Sequence, residues 1–208
     1  IKISNEIIEE AYDESTDVFD LLDSAEAKLY EVTQGNIQKS TETAQSLVIQ
    51  AKNRIEEISN KEGLSGVPSG FDKLDQLTSG WQPSDLIIVA ARPGMGKTAL
   101  TLSMARNISV GQNMPVAFFS LEMSAVQLIT RLISSETGLS SEKLRTGNLE
   151  KHEWEQLNVK VKDLENAPLF IDDTPSLSIF DLRAKARRLA SQHGIKLIVI
   201  DYLQLMTA

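Results

Sequence analysis

The stretch that decides the fold reads Leu86-Ile87-Ile88-Val89-Ala90-Ala91-Arg92-Pro93-Gly94-Met95-Gly96-Lys97-Thr98. Its first half, residues 86–91, is entirely apolar, which is typical of a strand buried on both faces. The second half is a glycine-rich turn that ends in Gly-Lys-Thr, and we expect a helix from Lys97 to about residue 110. A buried strand, a glycine-rich turn and a helix in this order are the context of a phosphate-binding loop.

Each part of this loop suits one task in binding a nucleoside triphosphate. Gly94 and Gly96 allow positive φ and a close backbone approach to an anion, and the amides at the helix N-terminus attract phosphate. We expect Lys97 to reach the β- and γ-phosphate oxygens and the Thr98 hydroxyl to bind Mg²⁺. The alternative is a glycine-rich turn without a ligand, and Ala91 does replace the first glycine of the generic pattern. The predicted nucleotide-binding residues are Ala91, Arg92, Pro93, Gly94, Met95, Gly96, Lys97 and Thr98.

The remaining apolar runs predict an α/β fold. With 86–91 as the first of four, the further candidate strands are 116–121, 169–172 and 197–201. The intervening segments have helical spacing, at 124–137, 141–165 and 179–193. Strands that alternate with helices require crossover connections, so we expect three layers around a mainly parallel sheet.

The first third of the chain differs from the rest in charge and pattern. Residues 1–64 hold 6 Lys and Arg against 14 Asp and Glu, whereas residues 65–208 hold 15 of each sign. The first third also has two helical apolar stripes: Val18, Leu21, Leu22, Ala25 and Leu29, then Ala44, Leu47, Val48, Ala51, Ile55 and Ile58. We therefore predict a helical region at 1–64, followed by an α/β domain at 65–208.

Composition excludes several classes of protein. The absence of cysteine excludes disulfide scaffolds, thiolate zinc sites and iron–sulfur clusters, and two histidines, His152 and His193, are too few for a multi-histidine metal centre. No apolar run approaches the roughly 18 residues of a membrane span, so we expect none. Because the chain begins at Ile1 without a leader pattern, we expect a piece of a longer protein and not a secreted precursor.

Hydrolysis of a triphosphate requires a carboxylate on the metal side and a group that positions water. Asp201 follows the apolar run 197–200, and in an open α/β sheet such a strand end lies at the crevice where ligands bind. We therefore predict that Asp201 holds Mg²⁺ through its water shell. Glu122 follows another strand and is suited to accept a proton from the attacking water. Asp172 and Asp173 follow the third strand, and spacing alone does not separate them from Glu122.

Four collinear stretches of the sequence resemble the DnaB-type replicative DNA helicases, in the RecA-like branch of the P-loop ATPases. In that family the loop reads A-R-P-x-M-G-K-T, so Ala91 matches the family's own variant. The resemblance extends over about residues 15–208. The matching stretches are Ser69–Asp75, Ala91–Thr98, Phe119–Ser124 and Ile200–Met206.

This resemblance implies a function and assigns roles to residues. It implies a cytoplasmic, hexameric bacterial helicase that hydrolyses ATP to move along single-stranded DNA and unwind the replication fork. It implies that Glu122 is the catalytic base, that Lys97 supports catalysis, and that Asp201 and Thr98 face the Mg²⁺ ion. Residues 17–32 resemble the linker helix that docks on the neighbouring subunit, with packing inside their own chain as the alternative. Primase and a helicase loader are the further implied partners.

The chain ends at Ala208, soon after the strand that carries Asp201. The resemblance implies that later segments supply a γ-phosphate sensor, an arginine finger and DNA-binding loops. We therefore expect this chain alone to hydrolyse ATP poorly, because an arginine finger is worth about 10³–10⁵ in rate. The alternative functions are a RecA-fold ATPase that remodels DNA or protein assemblies without unwinding, and a non-catalytic oligomerisation module.

Overall fold

The computed structural model describes residues 2–12, 21, 24–25, 28, 43–59 and 63–207. Contacts divide the chain into two compact units, residues 1–60 and residues 61–208. Within the described ranges, no helix is both long and apolar enough to cross a membrane.

The first unit is helical where it is described. Its helices are α1 (Lys2–Ala11) and α2 (Ala44–Ser59). Glu10 of α1 accepts a 2.7 Å hydrogen bond from the Ser24 hydroxyl and forms an ion pair with Lys28. Of the predicted linker-helix stripe within 17–32, Leu21 and Ala25 are helical and half-buried, whereas Val18, Leu22 and Leu29 lie outside the described residues.

The second unit contains all three strands that the structure describes. Its helices are α3 (Asp72–Thr78), α4 (Lys97–Arg106), α5 (Ala125–Thr137), α6 (Ser141–Thr146), α7 (Lys151–Lys160), α8 (Lys162–Asn166) and α9 (Ile179–His193). Its strands are β1 (Val116–Ser120), β2 (Leu169–Asp172) and β3 (Leu197–Asp201). A π-helical turn, Asn107–Gly111, extends α4, and a 3₁₀ turn, Leu203–Leu205, follows β3.

The sheet is parallel, with the strand order β2-β1-β3. The central strand β1 is buried along its whole length, and its residues alternate between two apolar clusters. Val116 and Phe118 pack with residues of α4 and α5, whereas Ala117 and Phe119 pack with Leu182 of α9 and with Leu177. This arrangement of helices on both faces of a parallel sheet confirms the predicted three-layer α/β fold.

Capping side chains and a glycine define the ends of two of these helices. The Ser124 side chain accepts the Gln127 amide in a capping box at the start of α5, and Ser178 caps α9 in the same way. Gly194 ends α9 in the left-handed conformation, with φ of 64°. The strong local signals in the sequence therefore set these boundaries.

The strand predicted at residues 86–91 is wrong for this structure. These residues pair with none of the three strands, and their side chains are exposed, with Leu86 at 87% and Ile88 at 80%. A strand buried on both faces needs a hydrogen-bonded neighbour and a covering layer on each side, and the described residues supply neither to this segment. The apolar residues are typical of a buried strand, but such a strand also needs a neighbouring strand, and the sequence of this segment does not show whether one is present.

Candidate functional site

The carboxyl ends of the three strands meet at one edge of the sheet, because all three run parallel. In the register of the sheet, Ser120 lies opposite Asp201 and Phe119 lies opposite Asp172. We call this edge, with the turns that follow it, the carboxyl edge. It gathers the four acids that the sequence singled out: Glu122, Asp172, Asp173 and Asp201.

The loop that precedes α4 is exposed and turns on two glycines. The Met95 amide donates a 3.2 Å hydrogen bond to the Arg92 carbonyl and closes a tight turn. Gly94 and Gly96 have φ of 77° and 90°, a region that side chains with a Cβ rarely adopt. An added Cβ would meet no heavy atom within 4 Å at either glycine, so conformation and not space requires glycine here.

Helix α4 begins directly after this loop, and its first turn is open to a ligand. Gly96 at the N-cap supplies no side chain to the first amides, which leaves them available to an anion. Thr98 is half-buried, and its hydroxyl makes no hydrogen bond with the described residues. The amides are therefore free to bind phosphate, and the Thr98 hydroxyl oxygen is free to bind a cation.

Lys97 brings this loop to the carboxyl edge. Its ammonium lies 5.2 Å from the centre of the Tyr202 ring, within the range of a cation–π interaction. Tyr202 directly follows Asp201, the last residue of β3. The predicted phosphate-binding lysine and the predicted Mg²⁺-side strand end are therefore neighbours in the structure.

Asp201 is buried, and its side chain has no charged partner among the described residues. Its exposed fraction is 6%, and no Lys or Arg in the described part of the chain forms an ion pair with it. Its carbonyl accepts a 2.8 Å hydrogen bond from the Leu121 amide, which joins the ends of β1 and β3. A buried carboxylate is costly unless it is paired, so Asp201 is suited to a cation or an ordered water.

The residues at this edge fit Mg²⁺ better than a metal held by protein ligands alone. Among the described residues, no group of three or more His, Asp or Glu side chains is placed to hold a metal. Magnesium usually binds through one or two protein oxygens together with waters and substrate phosphates. The Thr98 hydroxyl and the Asp201 carboxylate are oxygen ligands of that kind.

Glu122 stands in a tight turn directly after β1. The buried Ser120 hydroxyl donates a 2.7 Å hydrogen bond to the Met123 carbonyl and accepts a 3.2 Å bond from the Met123 amide. These two bonds close the turn that carries Glu122, whose own side chain is exposed and unpaired among the described residues. The turn therefore presents a free carboxylate at the carboxyl edge.

The competing acids are engaged elsewhere. Lys185 forms a 2.7 Å ion pair with Asp172. Although burial raises the pKa of Asp172, the hydrogen bonds from Lys185 and Thr174 outweigh burial and hold that pKa below its usual range. Asp173 accepts a 2.8 Å hydrogen bond from the Ala125 amide at the start of α5. Of these three acids, only Glu122 has a side chain without a partner in the described part of the chain.

The motif Ser69–Asp75 builds a structural turn and not part of the carboxyl edge. Asp75, only 7% exposed, accepts hydrogen bonds from the Ser69 amide and hydroxyl, at 2.7 and 2.6 Å, and from the Gly70 amide at 3.1 Å. Gly70 lies against Asn107, where an added Cβ would come within 2.3 Å of the Asn107 Cβ. This turn fixes the segment that leads towards the loop.

Two residues of this site were missed by reasoning on the sequence. Tyr202 and Ser120 both lie inside the matching motifs, but nothing in their spacing indicates a contact with Lys97 or with the Glu122 turn. The one indication in the sequence is their position, because both residues lie within one residue of the end of a predicted strand. Their partners become visible only when the strands are aligned.

Comparison with known proteins finds relatives that match this chain over almost its whole length. Replicative DNA helicase DnaB of Geobacillus stearothermophilus is 43% identical over 207 residues, which cover 99% of this chain and 46% of that protein. The chain thus spans less than half the length of this relative. Replicative DNA helicase DnaB of Rhodothermus marinus is 42% identical over 211 residues, which cover 100% of this chain and 22% of that protein.

Among solved structures, a DnaB-like replicative helicase studied with its interactions with primase is 28% identical with a TM-score of 0.79. It covers 99% of this chain, and this chain covers 47% of it. The family model for the DnaB-like helicase C-terminal domain matches residues 66–208. Since that match spans most of the chain and contains the loop, the carboxyl edge and all three strands, the chain belongs to the DnaB-like helicase C-terminal domain family.

Proposed function

We propose that residues 65–208 are the nucleotide-binding part of a replicative DNA helicase that hydrolyses ATP to move along single-stranded DNA and unwind the fork. The observation that carries this proposal is the 5.2 Å contact between Lys97 and Tyr202, since it joins the loop to the strand end that carries Asp201. Family membership supports the same conclusion. Residues 1–64 are the proposed helical linker region.

The triphosphate is bound by the loop Ala91–Thr98. The backbone turn at Gly94 and Gly96 and the open first turn of α4 offer amides to the phosphates. Lys97 has no carboxylate partner among the described residues, so its charge is available to the β- and γ-phosphates. When bound, Mg²⁺ neutralises charge on the phosphates, and Thr98 and Asp201 are the residues that would hold it.

Glu122 is the proposed catalytic base. Its free carboxylate orients the attacking water and accepts the proton that this water loses. The turn closed by Ser120 and the bond from the Leu121 amide to the Asp201 carbonyl fix Glu122 relative to β3. The group proposed to activate the attacking water and the groups proposed to stabilise the phosphate charge thus all lie at the carboxyl edge.

The partners of the protein are proposed from its family. Homo-hexamer formation through residues 17–32 on the neighbouring subunit, together with binding of forked or single-stranded DNA, completes the motor. One structural neighbour was studied with its interactions with primase, which supports primase as a partner of this protein too. We also propose a helicase loader as a partner, and a location in the bacterial cytoplasm at replication forks.

The test has two stages. Titration calorimetry measures Mg–ATP binding to the chain, to Lys97→Ala and to Asp201→Asn, with the exposed Asp72→Asn as a matched control. We expect Lys97→Ala to weaken binding with or without Mg²⁺ and Asp201→Asn to weaken only Mg²⁺-dependent binding. The second stage assays forked-DNA unwinding by the protein that carries this unit. ATP hydrolysis without unwinding would favour a remodelling ATPase, and unwinding unimpaired by Lys97→Ala would contradict the proposal.

A further inference from the structure

The ammonium of Lys97 has an aromatic partner and, among the described residues, no acidic one. Its nitrogen lies 5.2 Å from the centre of the Tyr202 ring. None of the ion pairs in the described part of the chain involves Lys97, although four acids lie at the adjacent carboxyl edge. The side chain is half-buried, so the ring and the surrounding backbone limit the directions that it can take.

An aromatic partner differs from a carboxylate in how it competes with a ligand. A carboxylate neutralises the ammonium and must be displaced before phosphate can bind, at the cost of a charge-assisted hydrogen bond. A ring attracts the ammonium through its quadrupole and leaves the full positive charge in place. An ammonium held by a ring is therefore oriented but still able to bind an anion.

The position of Tyr202 in the chain determines where the Lys97 ammonium is held. Tyr202 is the first residue after β3 and follows Asp201, whereas Lys97 is the first residue of α4. The contact therefore draws the lysine towards the strand end that carries the buried Asp201 carboxylate. Lysine side chains lose much rotamer freedom when they are fixed, so holding this one in advance favours ligand binding.

We propose that Tyr202 is a positioning residue for the phosphate-binding lysine, and that its ring holds the Lys97 ammonium at the carboxyl edge before the triphosphate binds. This inference rests on the proposed function, because it assumes that Lys97 binds the β- and γ-phosphates. The aromatic ring is the required feature, and the phenolic hydroxyl is not.

The test compares Tyr202→Phe, which keeps the ring, with Tyr202→Leu, which keeps only apolar bulk. Leu203→Ala changes an exposed residue next to Tyr202 and serves as the control. Nuclear magnetic resonance of the ¹³C-lysine-labelled chain reports the ε-methylene signal of Lys97, assigned with Lys97→Arg. We expect this signal to lie upfield of the other lysines in the wild type and in Tyr202→Phe, and to move to the common position in Tyr202→Leu.

Titration calorimetry with Mg–ATP measures the consequence for binding. We expect Tyr202→Leu to weaken ATP affinity by about twofold to fivefold, the range of an exposed cation–π interaction, while Tyr202→Phe restores it. Equal melting temperatures for the Phe and Leu variants would separate this effect from unfolding.

Two results would overturn the inference while leaving the proposed function intact. One is a wild-type Lys97 signal without an upfield shift. The other is a shift lost in Tyr202→Leu with unchanged ATP affinity. Failure of the wild-type chain to bind Mg–ATP, even with the shift present, would instead overturn the proposed function and, with it, the role assigned to Tyr202.

Discussion

Ser120 and Asp201 lie opposite each other as the last residues of two parallel, neighbouring strands. One residue further along, the Leu121 amide donates a 2.8 Å hydrogen bond to the Asp201 carbonyl. This pairing carries the end of β1 past the end of β3 and into the turn with Glu122. It places the proposed base just after β1 and the proposed metal-side acid at the end of β3, the neighbouring strand.

The turn itself depends on the Ser120 hydroxyl. In Ser120→Ala the carbonyl and amide of Met123 lose their side-chain partner in a half-buried turn, and we expect the free energy of unfolding to fall by about 1–3 kcal/mol. Urea unfolding measures this loss. Ser109→Ala is the control, because Ser109 is equally buried but makes only a 3.5 Å bond. Similar losses in both variants would show that the Ser120 bonds add nothing beyond burial.

Glu122→Gln separates chemistry from binding. Because the Glu122 side chain is exposed and unpaired among the described residues, we expect stability and ATP affinity to stay nearly unchanged. Hydrolysis should fall by about 10²–10⁴, the usual contribution of a general base. Single-turnover hydrolysis by the longer protein that carries this unit, in excess over labelled ATP, provides the rate.

Asp173→Asn is the matched control for that experiment. Asp173 caps α5 through the Ala125 amide, so its amide variant should lose a little stability and keep its hydrolysis rate. The opposite result, with hydrolysis lost in Asp173→Asn and retained in Glu122→Gln, would move the base to Asp173.

Asp75 should be a stability residue of the second unit. Asp75→Ala leaves the donors of Ser69 and Gly70 without their acceptor in a buried turn, and we expect a loss of about 2–3 kcal/mol. Asp72→Asn, at an exposed position on the same helix α3, should cost about 0.3–1 kcal/mol through the helix dipole. Thermal unfolding distinguishes the two, and equal melting temperatures would contradict the role of Asp75.

The ion pair of Asp172 with Lys185 predicts a pH dependence of stability. The hydrogen bonds from Lys185 and Thr174 hold the pKa of Asp172 below its usual range despite burial, so the folded state favours the carboxylate. The resulting stabilisation is fully present above the unfolded pKa of about 3.9 and is lost as pH falls through the lower folded value.

Urea unfolding at neutral and acidic pH tests this sign. Both side chains are about one quarter exposed, so Asp172→Asn should destabilise the chain by about 1 kcal/mol at pH ~7. The difference in free energy of unfolding between wild type and Asp172→Asn should disappear as the pH falls below about 4. The exposed Asp163→Asn is the control, and its difference from wild type should stay small at every pH. If the difference in free energy of unfolding between wild type and Asp172→Asn grew in acid, the stabilising ion pair of Asp172 with Lys185 would be contradicted.

Local signals predicted the helices and three strands well. Ser124, Ser178 and Gly194 mark helix ends because their side chains, or the lack of one, satisfy the terminal backbone groups. The short apolar runs at β1, β2 and β3 predict strands because they can be buried only between two layers. The same argument failed at residues 86–91, since a strand also needs a partner at hydrogen-bonding distance.

The sequence by itself determined the glycine-rich loop before a helix, the α/β layering and the acids at the strand ends from which we propose the base. These features depend on neighbouring residues, such as two glycines with positive φ and a lysine that begins a helix. Only the tertiary structure decided which acids are free, because Asp172 and Asp173 are bound by Lys185 and by the start of α5. It also brought the Tyr202 ring to Lys97 across more than 100 positions of sequence. Such contacts depend on how strands and helices from distant parts of the sequence pack together, which requires the folded structure.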